Sequence, residues 1–222
     1  DGILLEGDAP CTIALPAARE WDAGSVSITA DRGILEARAR ELSGIIRTAG
    51  VAGGALAAEG RDPFAAIVAG RIAAGLVDIV TGELDGDVDR VDRAVGALLG
   101  LGPGLTPAGD DVLTGLVLVA SRPGSRTTIV RPAIAAMLDR HGRRTTDLSV
   151  ATLRAALGGR ARQRLVDLVD AAVGEPRELD GPGGGLRARA DRVIGIGHAS
   201  GTDILSGVLA GLELEIQRRG SA

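Results

Sequence analysis

Two glycine loops, each delivering the chain into a helix with an aspartate in its first turn, hold the side chains best suited to chemistry. Residues 100–120 read GLGPGLTPAGDDVLTGLVLVA and residues 195–212 read GIGHASGTDILSGVLAGL. Both open with Gly-x-Gly. After a three-residue insertion in the first copy, Gly109-Asp-Asp-Val-Leu-Thr-Gly115 matches Gly201-Thr-Asp-Ile-Leu-Ser-Gly207 position by position. Asp111 and Asp203 are then equivalent, 92 residues apart. The match implies an internal duplication or convergence on one structural job, with chance similarity in a Gly/Ala/Leu-rich chain as the competing reading.

The chemistry such loops support is anion recognition. Thr106 is placed to cap the first helix, with Pro107 where a missing N–H costs nothing. Ser200-Gly-Thr-Asp203 has the spacing of a capping box, with Asp in place of Glu. Each helix start would offer free amides and the positive end of a dipole to a carboxylate or phosphate. If the copies face each other across a pseudo-twofold, they form one cleft. Gly102, Gly104, Thr106, Gly109, Asp110, Ser200 and Gly201 are therefore candidate binding positions, and Asp111, His198 and Asp203 candidate catalytic groups. Structural readings compete at each. The glycines permit close packing, Asp110 and Asp111 complement a helix dipole, and Thr114, Gly115, Ser206 and Gly207 suit close helix–helix approach. His198, one of two histidines, equally fits a local hydrogen bond. No spacing rule singles out a metal site, although Asp110, Asp111 and Asp203 could hold Mg²⁺ through oxygen. A third cluster, Arg143-Arg-Thr-Thr-Asp-Leu-Ser149, brings Arg143, Arg144, Thr145 and Ser149 to a helix start, as an anion site or a solvated capped end.

The elements that must position these groups follow from periodicity. Residues 3–5, 11–15 and 25–29 read as short strands separated by Gly7-Asp8 and Asp22-Ala-Gly24. From residue 33 the period becomes helical. Ile34, Leu35, Leu42, Ile45 and Ile46 form one stripe, and Phe64, Ile67, Val68, Ile72, Leu76, Ile79 and Val80 a longer one. Further helices are predicted over 88–100, 107–120, 128–140, 147–157, 161–173 and 202–218. The expected fold is α+β: a β-rich part over 1–32 and a helical body over 33–222, forming one compact unit, without the βαβ alternation of a doubly wound sheet.

Composition narrows the function classes. The 222 residues are 45 % apolar, and the net charge is −4. There is no Lys, Asn or Tyr, and all 25 cations are Arg, so Schiff-base, P-loop-lysine and Ser–Lys chemistry is excluded. One cysteine forms no intramolecular disulfide. One Trp, one Phe and a pI near 5.3 argue against nucleic acid. Apolar runs such as 112–120 fall short of a membrane span, so a cytoplasmic chain is expected. The chain starts at Asp1 with neither Met nor a signal h-region, so further residues are expected before it. Two phosphate-loop readings are set aside. The tract Gly181-Pro-Gly-Gly-Gly185 lacks the Walker pattern and a preceding strand. Ser125-Arg-Thr-Thr128 only distantly resembles the carbamoyl-phosphate loop of the aspartate and ornithine transcarbamoylases.

GLGPGLTPAGDD followed by a helix, RTTDLS-x-x-x-L, and GIGHASGTDILSG together resemble the AllH (YlbF-like) family, over about residues 95–213 and more weakly over the N-terminal strands. Ala108 stands where the family often has Ser, and Thr202 where it often has Trp. The resemblance implies a subunit of oxamate carbamoyltransferase from anaerobic allantoin use, working beside FdrA-like and YlbE-like subunits. That reaction interconverts oxalurate plus phosphate with oxamate plus carbamoyl phosphate and needs no redox cofactor. On that reading the backbones of 102–109 and 197–201 cradle anions, Arg143 or Arg144 neutralises phosphate, and His198 or Asp111 manages the amine proton. Two alternatives stay open: an anion-binding or regulatory subunit with catalysis on its partners, and a Mg²⁺-dependent hydrolase or ligase.

Overall fold

A computed structural model describes residues 2–7, 9–16, 26–57, 62–175 and 184–220. The fold is α+β. Its strands, β1 (Gly2–Leu5) and β2 (Cys11–Ala14), pair antiparallel from Gly2↔Ala14 to Leu5↔Cys11, with every position exposed. The third expected strand does not form over its described part. In residues 26–30 the Ile28 amide donates to the Pro123 carbonyl (2.8 Å) and the Ala30 amide to the Val173 carbonyl (3.1 Å). Bonds sent to two unconnected helix ends cannot build a ladder. Ser25, Asp8, the turn at 22–24 and Gly181 to Gly183 lie outside the described residues.

The body consists of helices α1 (Arg32–Ala49), α2 (Pro63–Asp85), α3 (Val88–Leu98), α4 (Ala108–Ala120), α5 (Val130–His141), α6 (Asp147–Leu157), α7 (Gln163–Val173), α8 (Leu186–Ile194) and α9 (Ser200–Gly220). Four of them start on side-chain caps: Asp31, Asp62, Asp87 and Thr146 accept from the amides of Ile34, Phe64, Arg90 and Ser149. Helix α8 was not anticipated. Its sequence LRARADRVI turns only Leu186, Ala190 and Val193 inward, too few apolar positions to register as a period.

Helix α4 is the centre of the fold: all of its residues are buried, and α3, α5, α6, α7 and α9 pack against it. Its principal partner is α9, and both spans were expected to be helical. The segment 125–130 leading into α5 is held from outside by two buried carboxylates. Glu83 on α2 accepts the amides of Thr128, Ile129 and Val130 (2.7–2.9 Å) and pairs with Arg218. Glu215 on α9 accepts the Ser125 hydroxyl and the Arg126 amide and pairs with Arg219. Burial pushes the Glu83 carboxyl up, but the Thr128 amide, Arg218 and the Val130 and Ile129 amides together hold it below the ordinary range.

Helix α2 departs from the run-length reading of the sequence. Its 23 residues, with a window of mean hydropathy 1.8, are long and apolar enough to cross a membrane by length and composition. In the fold it packs against α3 and α9, with 33 % of that window buried. Phe64, Ile67 and Val77 remain exposed.

Candidate functional site

The two matching segments meet as a pair. Helices α4 and α9 cross so closely that a Cβ on Gly115 would strike the Ile204 carbonyl, and one on Gly207 would strike the Val112 carbonyl. Gly115 and Gly207 are equivalent in the repeat, and so are Val112 and Ile204, so the crossing is reciprocal. The small-residue reading of Gly115 and Gly207 holds. Thr114 and Ser206 return their hydroxyls to the carbonyls of Asp110 and Thr202, four residues back in each helix (2.8 and 2.9 Å).

The loops repeat each other bond for bond. The Leu101 and Ile196 amides donate to the Leu98 and Val193 carbonyls, both at 2.9 Å. The Gly109 and Gly201 amides then donate back to the carbonyls of Leu101 (2.9 Å) and Ile196 (3.1 Å). Gly102 (φ 106°) and Gly197 (φ 62°) make the equivalent reversals in a region that disfavours side chains. These bonds alter the expected character of the helix starts. The Asp110 and Asp111 amides donate to the Pro107 carbonyl and the Asp203 amide to that of Ala199, so the loops themselves take up the amides expected to be free. Nor does Thr106 cap α4. Pro107 holds the cap position without a side-chain bond, and the Thr106 hydroxyl lies 3.1 Å from that of Ser200, joining the two loops.

The three aspartates have separate environments. Asp110 accepts the Gly100 amide (2.8 Å) and the Thr145 hydroxyl. Burial raises its carboxyl, offset in part by the Thr145 hydroxyl, the Gly100 amide and the Ser149 hydroxyl. Asp203 is overlaid by the loop after α1: its Oδ1 accepts the Ala55 amide (2.6 Å), and Thr202 beside it accepts the Val51 amide (2.8 Å). Burial pushes Asp203 up to about 6, eased by the Ala55 amide. Asp111 is 5 % exposed, and its Oδ2 has no hydrogen-bond partner. Burial pushes it up to about 7; the Ser200 and Thr106 hydroxyls oppose that rise, while Asp203 and Asp110 add like charge. A carboxyl at this value holds or releases a proton near neutrality, as a general acid–base group must.

Asp111 lines a cavity of about 740 Å³ between the loops, α6 and α7. Thr106, Gly197 and Ser200 share its polar end. Leu105, Leu148, Leu165, Ile196 and Ile204 supply apolar wall, and the other charged residues lining it are Arg160 and Arg162. The sequence reading passed over these two arginines. Their signal is the turn Gly158-Gly-Arg-Ala-Arg162, which sets two guanidinium groups two residues apart between α6 and α7.

Other candidates lie elsewhere. His198 is exposed and does not line the cavity. Arg143 and Arg144 are exposed in the 3-10 turn Gly142–Arg144, and the Arg144 carbonyl packs against Gly100. Thr145 donates to Asp110, and Ser149 is buried with no hydrogen-bond partner for its Oγ. Gly104 is exposed, whereas Gly109 and Gly201 are buried against the carbonyls of Leu98 and Val193. Among the described residues, no three His, Cys, Asp or Glu side chains are grouped to hold a metal ion.

No solved structure matches the chain. A family model described as oxamate carbamoyltransferase subunit AllH matches residues 98–212, from the end of α3 through both loops, α4 and the part of α9 up to residue 212. That span exceeds half of the sequence and contains every element of the paired site, and on it the chain belongs to the AllH family.

Proposed function

We propose that this chain is a subunit of an oxamate carbamoyltransferase-type enzyme and that the cavity at Asp111 receives the carbamoyl-transfer substrates. The observation that carries this reading is the buried carboxyl of Asp111, whose Oδ2 has no hydrogen-bond partner, held near neutrality in a cavity whose other charges are two guanidinium groups. In the carbamoylating direction the oxamate nitrogen attacks the carbamoyl carbon. A C–N bond forms, the C–O bond to phosphate breaks, and phosphate leaves. The proton lost by nitrogen passes to the Asp111 carboxylate, while Arg160 and Arg162 balance carboxylate or phosphate charge. Thr106 and Ser200 orient the reacting groups from the polar end. The family description as a subunit supports a site completed by other chains, for which FdrA-like and YlbE-like subunits are the proposed partners.

The test has two parts. Calorimetric titration of the chain with carbamoyl phosphate, phosphate, oxamate and oxalurate asks whether the site binds, and Arg162→Gln should weaken any binding. Co-expression with the partner subunits, followed by assay of phosphate-dependent carbamoyl phosphate formation from oxalurate, asks whether it turns over. Asp111→Asn is expected to retain ligand binding and lose roughly 100-fold or more in kcat. Undiminished turnover in Asp111→Asn would overturn the assigned role.

A further inference from the structure

The size and lining of the cavity do not match the smallest anions. At about 30 Å³ per heavy atom of liquid water, oxamate and carbamoyl phosphate each fill roughly 200 Å³. Even together they occupy only part of this cavity of about 740 Å³, which is partly open to solvent. The uncovered part is apolar: Leu148 and Ala155 from α6, Leu165 from α7, and Ile196 and Ile204 from the second repeat. Leu105 and Leu148 are 69 % and 43 % exposed, two large apolar side chains left open at the cavity. Neither fully ionic substrate would cover such apolar walls.

We infer that the cavity is built for an amphipathic carboxylate: an apolar body against α6, α7 and Ile204, an amide, ureido or hydroxyl donor toward Asp111, and the carboxylate paired with Arg160 and Arg162. This rests on the reading of the cavity as the substrate site and specifies an acceptor class larger than oxamate. Each portion of the ligand has its counterpart. Asp111 Oδ2 lacks a donor. Thr106 and Ser200, bonded to each other, still offer acceptor lone pairs to a second N–H. The cations come from the turn between α6 and α7, so a ligand that meets both Asp111 and an arginine contacts the repeat loops and that turn.

The probes are N-carbamoyl-glycine, N-carbamoyl-leucine, N-carbamoyl-leucinamide and oxamate, titrated calorimetrically into the whole chain. N-carbamoyl-leucine is expected to bind roughly ten- to hundredfold tighter than N-carbamoyl-glycine, the gain from burying a leucine side chain. The leucinamide, without a carboxylate, should bind at least tenfold more weakly and be unaffected by Arg162→Gln. Ala155→Trp, at a half-buried position, should abolish the leucine preference while circular dichroism stays native. Equal affinity for the glycine and leucine compounds, or tightest binding of oxamate, overturns the inference. So does binding of none of the probes by folded protein, the result expected if a partner's apolar segment fills the cavity. Its failure is separable from failure of the proposed function. Carbamoyl transfer to oxamate without an apolar preference defeats only this inference. An apolar preference with no transfer in the reconstituted complex defeats only the transferase reading.

Discussion

Asp111→Asn should change the stability of the chain in a strongly pH-dependent way. In the unfolded chain the carboxyl titrates near its ordinary value of 3.8, and in the folded chain at about 7. Between those values the folded state keeps a proton that the unfolded state has released, so the unfolding free energy falls as pH rises. The favourable contribution is complete below about pH 3.8 and gone above about pH 7. At about 1.4 kcal/mol per pH unit, full ionisation costs on the order of 4 kcal/mol of stability, an upper bound because water entry and relaxation reduce it. Asparagine has the same shape and never ionises. Urea denaturation followed by circular dichroism should give nearly equal stabilities at about pH 4.5. Asp111→Asn should become progressively more stable than the parent chain, by about 2–4 kcal/mol at pH 8. Asp203 titrates in both proteins and largely cancels from the difference. A difference that stays constant from about pH 4.5 to 8.5 would refute the reasoning: Asp111 would then be ionised throughout and could not hand a proton to a substrate near neutrality.

Gly115→Ala and Gly207→Ala each drive a methyl group into the facing helix carbonyl and should lower the urea midpoint by the equivalent of about 3 kcal/mol. Gly70→Ala, on α2 with open space around the new Cβ, should instead gain up to about 1 kcal/mol in the same measurement. Glu83→Gln removes the counter-charge of Arg218 and weakens the clamp on the start of α5, at a cost of about 2 kcal/mol near neutrality. Because the Glu83 carboxyl sits below its ordinary 4.5 in the fold, that stability is present above 4.5 and lost as pH falls through the folded value. Acid denaturation curves of parent and Glu83→Gln should therefore converge at low pH.

The helical body was legible because its apolar stripes have the helical period; in the structure α1, α2 and α3 start on Asp caps and α6 on a Thr cap. The errors have a common cause, since local sequence does not reveal where a polar group finds its partner. Residues 26–30 have strand propensity, but their amides bond two helix ends. Thr106 has the chemistry of a cap, but its hydroxyl meets Ser200 from the other repeat. Asp203 looks like half of a capping box and is taken by Ala55, 148 residues away. The site showed the same division. The repeat pointed to Asp111 and to the reciprocal glycines, whereas Arg160 and Arg162 have no repeat partner and join the cavity only through the packing of α6 and α7.

That asymmetry explains how two matching loops come to hold their equivalent aspartates differently. The backbone is shared because the helix crossing requires Gly115 and Gly207 together and each loop must close on its own helix. Nothing in this pairing distinguishes Asp111 from Asp203, and burial raises both. The difference comes from what is laid over each. The loop after α1 donates the Ala55 amide to Asp203, giving one carboxylate oxygen a fixed partner. Among the described residues no such segment donates to Asp111 Oδ2, and α6 and α7 line the cavity beside it. A buried carboxyl with one oxygen left without a donor reduces stability above neutral pH, and a sequence selected only for packing would place Asn, Thr or Ala there. Thr202 shows that the adjoining position tolerates such a replacement: it stands where the first repeat has Asp110 and still accepts the Val51 amide. The first copy keeps its carboxyl at the one position where it is costly to the fold and open to a ligand.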